Sequence, residues 1–350
     1  MRTLLMMMAA GLLVAAQPAP EPAPEPAPAG EDEGSRVVRG TPALPGSAPW
    51  QIQIYLKASL TPGEIARDRG LRDNAPEKRF YHLMREWEQN HLCGGALIDK
   101  EWALSAAHCF VGPKEGLYSL PLVGARVGNI DLDHATPMRI ERIIIHGDYR
   151  RYGSKQHDIA LLKLVPDTET RPDIATAAAP ARVITPDMRP LEPGDSLKVT
   201  GWGHFSERES GASRAVDGSI MRSSRVLLEG QLTLADPAEC ARVPRYRKTL
   251  NPGVLCVAAG DNREQDSCQG DSGGPLTRNR VLVGLVSTGE GCGQKGVPAL
   301  YTNVAFYAEW IRAVQETAPA GVIARCLPVV RAGHTTVSCD TANRPRTNRG

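Results

Sequence analysis

Cys268-Gln269-Gly270-Asp271-Ser272-Gly273-Gly274-Pro275 is the stretch on which the reading of this chain turns. A serine set among small residues that tolerate unusual backbone angles can hold its Oγ clear of the main chain, while neighbouring N–H groups converge on one point. The hydroxyl is a weak nucleophile until a base takes its proton. Upstream, Leu104-Ser105-Ala106-Ala107-His108-Cys109 supplies a histidine, and His157-Asp158-Ile159-Ala160-Leu161-Leu162 an aspartate. The chain order is therefore His, Asp, Ser.

That order, with these flanking residues, resembles the chymotrypsin/trypsin family of serine proteases and separates it from two unrelated folds that carry the same three side chains. The resemblance covers about residues 37–316. It implies two six-stranded antiparallel β-barrels packed face to face, a C-terminal α-helix, and an active site in the cleft between the barrels. In that pattern Ser272 attacks the substrate carbonyl, His108 is the general base and later the general acid, and Asp158 orients the imidazole. The N–H groups of Gly270 and Ser272 form the oxyanion hole. Ser287 holds the aspartate and lines the substrate channel together with Gly289. Asp266, six residues before Ser272, takes the floor of the S1 pocket and selects Arg or Lys, because a buried carboxylate favours a cationic partner. Two residues depart from the pattern. Ala299 stands on a pocket wall where glycine is usual, and Thr288 replaces the tryptophan that forms an apolar wall beside P2–P4.

Arg36-Val37-Val38-Arg39-Gly40 resembles an activation junction. Cleavage there frees the Val37 ammonium, which would turn inward and pair with Asp271. Because Asp266 selects Arg, either another protease or the enzyme itself can act on the Arg36–Val37 bond, and Arg39 adds a competing site. The expected function is a secreted serine endopeptidase, made as a zymogen, that acts on proteins or peptides through an acyl-enzyme. The alternative is a catalytically silent, protease-shaped binding protein.

The rest of the chain is consistent with export. Arg2, the apolar run Leu4 to Val14 and the small residues Val14-Ala15-Ala16 read as a signal peptide over 1–16, too short to anchor the chain in a bilayer. Residues 17–36 read as a Pro-rich linker or propeptide. A formal charge of +2 gives no reason to expect nucleic acid as a partner. Eight cysteines in an exported chain suggest a disulfide framework and a secreted or periplasmic location. The sequence alone allows roughly a hundred pairings. The resemblance implies Cys93–Cys109, Cys240–Cys256 and Cys268–Cys292, which leaves Cys326 and Cys339 to each other. No paired Cys/His spacing points to a metal, and the chemistry needs no cofactor.

Short apolar alternations punctuated by Gly and Pro, such as Gln51-Ile52-Gln53-Ile54-Tyr55 and Val281-Leu282-Val283-Gly284-Leu285-Val286, read as all-β. The two barrels are expected over about 37–175 and 176–316. Tyr307, Trp310, Ile311 and Val314 share one face of a helix that Asn303 is placed to cap. Two segments lie outside the family pattern. In the insert 57–91, Phe80, Leu83, Met84 and Trp87 predict a helix opened by Pro76. The extension 317–350 reads as a small disulfide-stapled appendage. His82, His91, His134, His146, His204 and His334 read as surface or packing residues.

Overall fold

The computed structural model describes residues 40–340 except 73–80, 112–118, 151–154, 168–177, 186, 205–212, 215–219, 222, 261–264, 295, 318–322 and 332. The leader, the Pro-rich segment, Arg36, Val37, Pro76, Phe80 and the arginine-rich end therefore lie outside the described residues.

Two closed antiparallel barrels carry the core. The first is built from β1 (Gln51–Leu56), β2 (His91–Leu97), β3 (Trp102–Ser105), β4 (Val123–Val127), β5 (Thr136–His146) and β6 (Ala160–Pro166). The pairing runs β5-β4-β1-β2-β3-β6, and β6 returns to β5, so the sheet closes on itself. The second comprises β7 (Ser196–Gly201), β8 (Leu228–Leu234), β9 (Val254–Ala259), β10 (Pro275–Arg278), β11 (Val281–Thr288) and β12 (Ala299–Asn303), closed by β7 on β8. Ile52, Ile54, Leu97, Ile143 and Leu162 fill the first barrel, and Val199, Leu228, Leu276, Leu282 and Tyr301 the second. Each is a period-2 inward residue of its strand.

The polar half of the first alternation does not face water. Gln51 and Gln53 are fully buried at the seam between the barrels. Thr200 Oγ1 donates to Gln51 Oε1 at 2.7 Å, so the two barrels are joined by a buried hydrogen bond that an apolar pair would not supply.

The insert differs from the helix that its periodicity predicts. It holds α1 (Pro62–Gly70), a 3-10 turn over Tyr81–Leu83 and a single-turn α2 (Glu86–Asn90). The first helix has no apolar stripe. It forms because Thr61 and Glu64 make a reciprocal capping box, with Thr61 N donating to Glu64 Oε2 at 2.8 Å and Glu64 N to Thr61 Oγ1 at 3.2 Å. Trp87 packs on the core, and buried Glu88 accepts from Ser223 N at 2.8 Å, which fastens the insert to the segment before β8.

After a short α3 (Pro237–Ala241), the terminal helix α4 spans Ala308–Thr317 and follows a 3-10 turn, Val304–Tyr307. Tyr307, Trp310, Ile311 and Val314 are buried as the pattern predicts. The cap does not form. The Asn303 amide instead donates to Pro252 O at 3.0 Å, because the 3-10 turn separates it from the helix start.

The extension is no detached appendage. β13 (Ile323–Arg331) pairs parallel with β5 in the register Ala324↔Ile144, Cys326↔His146, and β14 (His334–Asp340) folds back on it as a hairpin. Cys326 O accepts from Gly147 N at 2.8 Å and from Trp310 Nε1 at 3.0 Å. The hairpin thus covers the outer side of β5 and one face of α4. Truncation after Thr317 uncovers the β5 edge and leaves the Trp310 indole N–H without its acceptor. The melting temperature should fall by several degrees, as expected for about 2–3 kcal/mol, and thermal unfolding followed by circular dichroism checks this.

Candidate active site

Asp158 lies at the seam, 2% exposed, at the turn between its own His157 and strand β6. Its Oδ2 sits 2.8 Å from His108 Nδ1 and accepts from Ser287 Oγ at 2.6 Å, and its Oδ1 accepts from the His108 backbone N–H at 2.9 Å. Burial alone would raise this carboxyl. The charge of His108 and the hydrogen bonds from His108 and Ser287 outweigh that and hold it below the usual carboxylate range. With Nδ1 committed to Asp158, the imidazole presents Nε2 to the cleft.

The backbone of Asp158 is held as firmly. Thr302 Oγ1 donates to its carbonyl at 2.7 Å. His157 adopts a left-handed conformation, φ +55°, and stacks on His146 with ring centroids 4.6 Å apart. Tyr307 Oη lies 3.2 Å from His157 Nδ1. Burial lowers the pKa of His146 to about 4 and also lowers that of His157, so at neutral pH the stack is uncharged. The two rings therefore stack without charge repulsion.

The serine arrives from the other barrel on a loop pinned to the first. Gly94 N donates to Ser272 O at 2.8 Å, and Gly273 N donates to Val286 O at 2.7 Å. Gly273 has φ +75°, and a Cβ there would run into Ser105 Oγ and Ala106 N, three and two residues before His108. Only glycine lets the serine loop approach the histidine turn this closely. The N–H groups of Asp271, Gly273 and Gly274 all have acceptors. Among the described residues, those of Gly270 and Ser272 have none.

A residue that reads as packing in the sequence holds this loop in place. His91 Nε2 lies 2.9 Å from Gly270 O, its Nδ1 lies 2.9 Å from Gln53 Nε2, and Arg126 donates to Gln53 Oε1 at 2.7 Å. Burial lowers the His91 pKa to about 4, so the ring is neutral and donates from Nε2 to the carbonyl. The two partners are 179 residues apart, and no local pattern announces the contact. His146 likewise belongs to the site's support. His82, His134, His204 and His334 make no contact with the triad among the described residues.

Two further carboxylates, Asp271 buried and Asp266 half-buried, have no cation beside them among the described residues. Asp271 is fully buried, accepting from Gly203 N at 2.8 Å and Cys268 N at 2.9 Å. Burial pushes its pKa up to about 7 against those two donors. Asp266 accepts from Gly293 N at 2.9 Å and Ser267 N at 2.8 Å, and burial pushes it up to about 6. Gly289 and Ala299 face each other nearby, since a Cβ on Gly289 would lie 3.7 Å from that of Ala299. The structure joins Cys93–Cys109, Cys240–Cys256, Cys268–Cys292 and Cys326–Cys339. Cys93, His108 and Cys109 bring three metal-type donors together, but both sulfurs are spent in their disulfide.

Residues 68–311 match the family model described as Trypsin. The chain belongs to the trypsin family. It is 33% identical to bovine (Bos taurus) tissue-type plasminogen activator over 278 residues, which cover 76% of this chain and 42% of the relative. It is 29% identical to the dog (Canis lupus familiaris) hepatocyte growth factor activator serine protease over 281 residues, 79% of this chain and 36% of the relative. The rat (Rattus norvegicus) tissue-type plasminogen activator gives 31% over 276 residues, 76% and 42%. The chain spans about two fifths of the length of these relatives. No helix among the described residues is long and apolar enough to cross a membrane.

The Asp271 carboxylate rests against Gly201 and Gly203, where any Cβ would fall well inside van der Waals contact of it. Gly201→Ala should therefore displace Asp271 and distort the Gly270–Ser272 loop while leaving His108 and Asp158 together. A loss of about a hundredfold in kcat/KM on an ester substrate is expected, with the low-field proton resonance of the His108–Asp158 hydrogen bond retained.

Proposed function

We propose that this trypsin-family chain is a secreted or periplasmic serine endopeptidase that hydrolyses peptide bonds after Arg or Lys. The observation that carries the reading is the meeting of the His108–Asp158–Ser287 network with the Gly270–Ser272 loop, whose two N–H groups have no acceptor among the described residues.

In this mechanism His108 Nε2 takes the Ser272 hydroxyl proton as Oγ bonds to the substrate carbonyl carbon. The developing oxyanion is received by the N–H groups of Gly270 and Ser272. Asp158 keeps Nδ1 protonated and stabilises the imidazolium. That imidazolium then gives its proton to the leaving amine as the C–N bond breaks, leaving an acyl-enzyme on Ser272. Water, deprotonated by His108, attacks the ester and restores the serine. No step calls for a cofactor or metal.

Asp266 is the proposed S1 carboxylate. A half-buried carboxyl with a raised pKa and no cation among the described residues gains most from a guanidinium or ammonium brought to it, and this favours Arg and Lys at P1. Asp271 is the second such group, and its proposed cation is the Val37 ammonium released by cleavage of Arg36–Val37. Before that cleavage the buried carboxyl has only N–H donors, which supports a precursor whose oxyanion loop is not locked. The leader and the four disulfides support export to an oxidising compartment. The substrates are proteins or peptides, and neither a nucleic acid nor a membrane anchor enters the reading.

A serine-reactive phosphonate should label the form beginning at Val37 on Ser272 and leave Ser272→Ala unlabelled. Absence of labelling would favour the silent binding protein. Affinity for a small amidinium such as benzamidine tests the pocket. Asp266 is ionised above pH about 6 and protonated below it, so the inhibition constant should rise on acidification by about tenfold per pH unit below that point. Asp266→Asn should bind weakly at all pH values, with no inflection.

A further inference from the structure

Lys155 stands three residues before Asp158, and its Nζ lies 3.4 Å from Thr288 Oγ1. Thr288 follows Ser287, whose hydroxyl holds Asp158, so an ammonium touches the residue next to that network. Gln156 Nε2 donates to Lys248 O at 2.8 Å and ties this loop to the segment 241–250. That segment exposes Arg245, Arg247 and Lys248. Arg245 is paired with Glu290, two residues beyond Thr288, at 2.7 Å, and Arg247 Nε folds back onto Ala241 O at 3.3 Å. Among the described residues neither Lys155 nor Lys248 has a carboxylate partner. Lys155, Arg245, Arg247 and Lys248 therefore place positive charge along this edge at the end of β11, where Glu290 pairs with Arg245, whereas the proposed S1 floor carries Asp266.

The chain contains a sequence with the complementary charge. Glu31-Asp32-Glu33-Gly34-Ser35 precedes Arg36, which places three carboxylates three to five residues upstream of the Arg36–Val37 bond. The two intervening residues are small and uncharged. Three residues of extended backbone span about 10 Å, which carries Glu33 from an occupied S1 pocket to a rim beyond the adjoining subsites. The neighbouring Arg39–Gly40 bond has the opposite character, since Arg36 occupies the place three residues upstream of Arg39. A cation there meets Lys155 with like charge.

We propose that the Lys155–Lys248 rim reads acidic side chains three to five residues before the scissile Arg or Lys, and that residues 31–36 of a second copy of this chain are such a substrate. The inference rests on the Arg/Lys endopeptidase reading above and adds to it a substrate class and a direction for activation. The rim selects the Arg36 bond, which releases the Val37 ammonium. It disfavours the Arg39 bond, whose cleavage would remove Val37 altogether. The step is the hydrolysis already described, one water consumed per bond, carried out between two molecules.

The test compares two fluorogenic amides, Glu-Asp-Glu-Gly-Ser-Arg and Gln-Asn-Gln-Gly-Ser-Arg, with the form beginning at Val37. The acidic peptide should show a kcat/KM about tenfold higher at low salt, converging on the neutral one near 1 M salt, where screening acts within about 3 Å. Lys155→Glu combined with Lys248→Glu should reverse the ratio. In a second arm, trace Val37 form is added to Ser272→Ala precursor. N-terminal sequencing should show Val37 appearing in proportion to added enzyme, and more slowly when Glu31→Gln, Asp32→Asn and Glu33→Gln are introduced together. Equal rates on the two peptides overturn the role of the rim and leave the endopeptidase reading intact. Cleavage of neither peptide overturns both.

Discussion

An ionised carboxylate with almost no exposure is tolerable only when every lone pair it turns inward meets a donor, and Asp158 is the place where this molecule meets that demand. Its donors come from both barrels: two from His108 in the first, one from Ser287 in the second, with Thr302 of the second holding its carbonyl. Sliding one barrel against the other would strand a buried charge, a penalty of about 3–5 kcal/mol when one partner of such a group is lost. The seam is therefore fixed by the same bonds that aim the imidazole. Thr200 on Gln51 and Gly94 on Ser272 add neutral hydrogen bonds across it.

Asp266 and Asp271 present the converse case. Asp271 is buried and Asp266 half-buried, and both receive two backbone N–H groups, yet neither faces a cation among the described residues, and both are pushed upward where Asp158 is pulled down. Backbone dipoles alone do not offset the loss of water around a carboxylate. Under the proposed function each is a socket for a positive charge that comes from outside the folded body, a substrate side chain in one case and a new chain terminus in the other. The charge that stabilises the active loop and the charge that selects the substrate are then supplied by the same kind of group. Under that reading one specificity would serve both substrate cleavage and self-maturation, because the residue before Val37 is an arginine.

Much of this was legible in the residues, and the parts that were not share a cause. The barrels follow from alternation that any strand must show, and the serine turn from glycines whose backbone angles little else tolerates. The insert was misread because periodicity finds helices that bury a stripe. Pro62–Gly70 buries none and is held by its cap, whose Thr61-x-x-Glu64 signature was present in the sequence. Asn303 lost its capping role to a 3-10 turn, a local choice decided by packing. His91 escaped notice because its meaning lies entirely in Gly270, brought to it by the closure of two barrels. Contacts made by tertiary closure leave no trace in spacing.

The tail shows how far such a contact reaches. Residues 323–340 lie beyond the elements that make either barrel, yet β13 pairs with the end of β5 at His146, and Cys326 O takes hydrogen bonds from Gly147 and Trp310. Trp310 and Tyr307 then pack on His146, and His146 stacks on His157, whose left-handed turn sets the direction of Asp158. A β5 edge left without the hairpin would free the first member of that chain of contacts. Because each successive pair of rings is in contact in a close-packed interior, displacement at the strand end is carried toward the triad. The hairpin thus belongs to the support of the aspartate, and its Cys326–Cys339 bridge joins two directly paired residues of its strands.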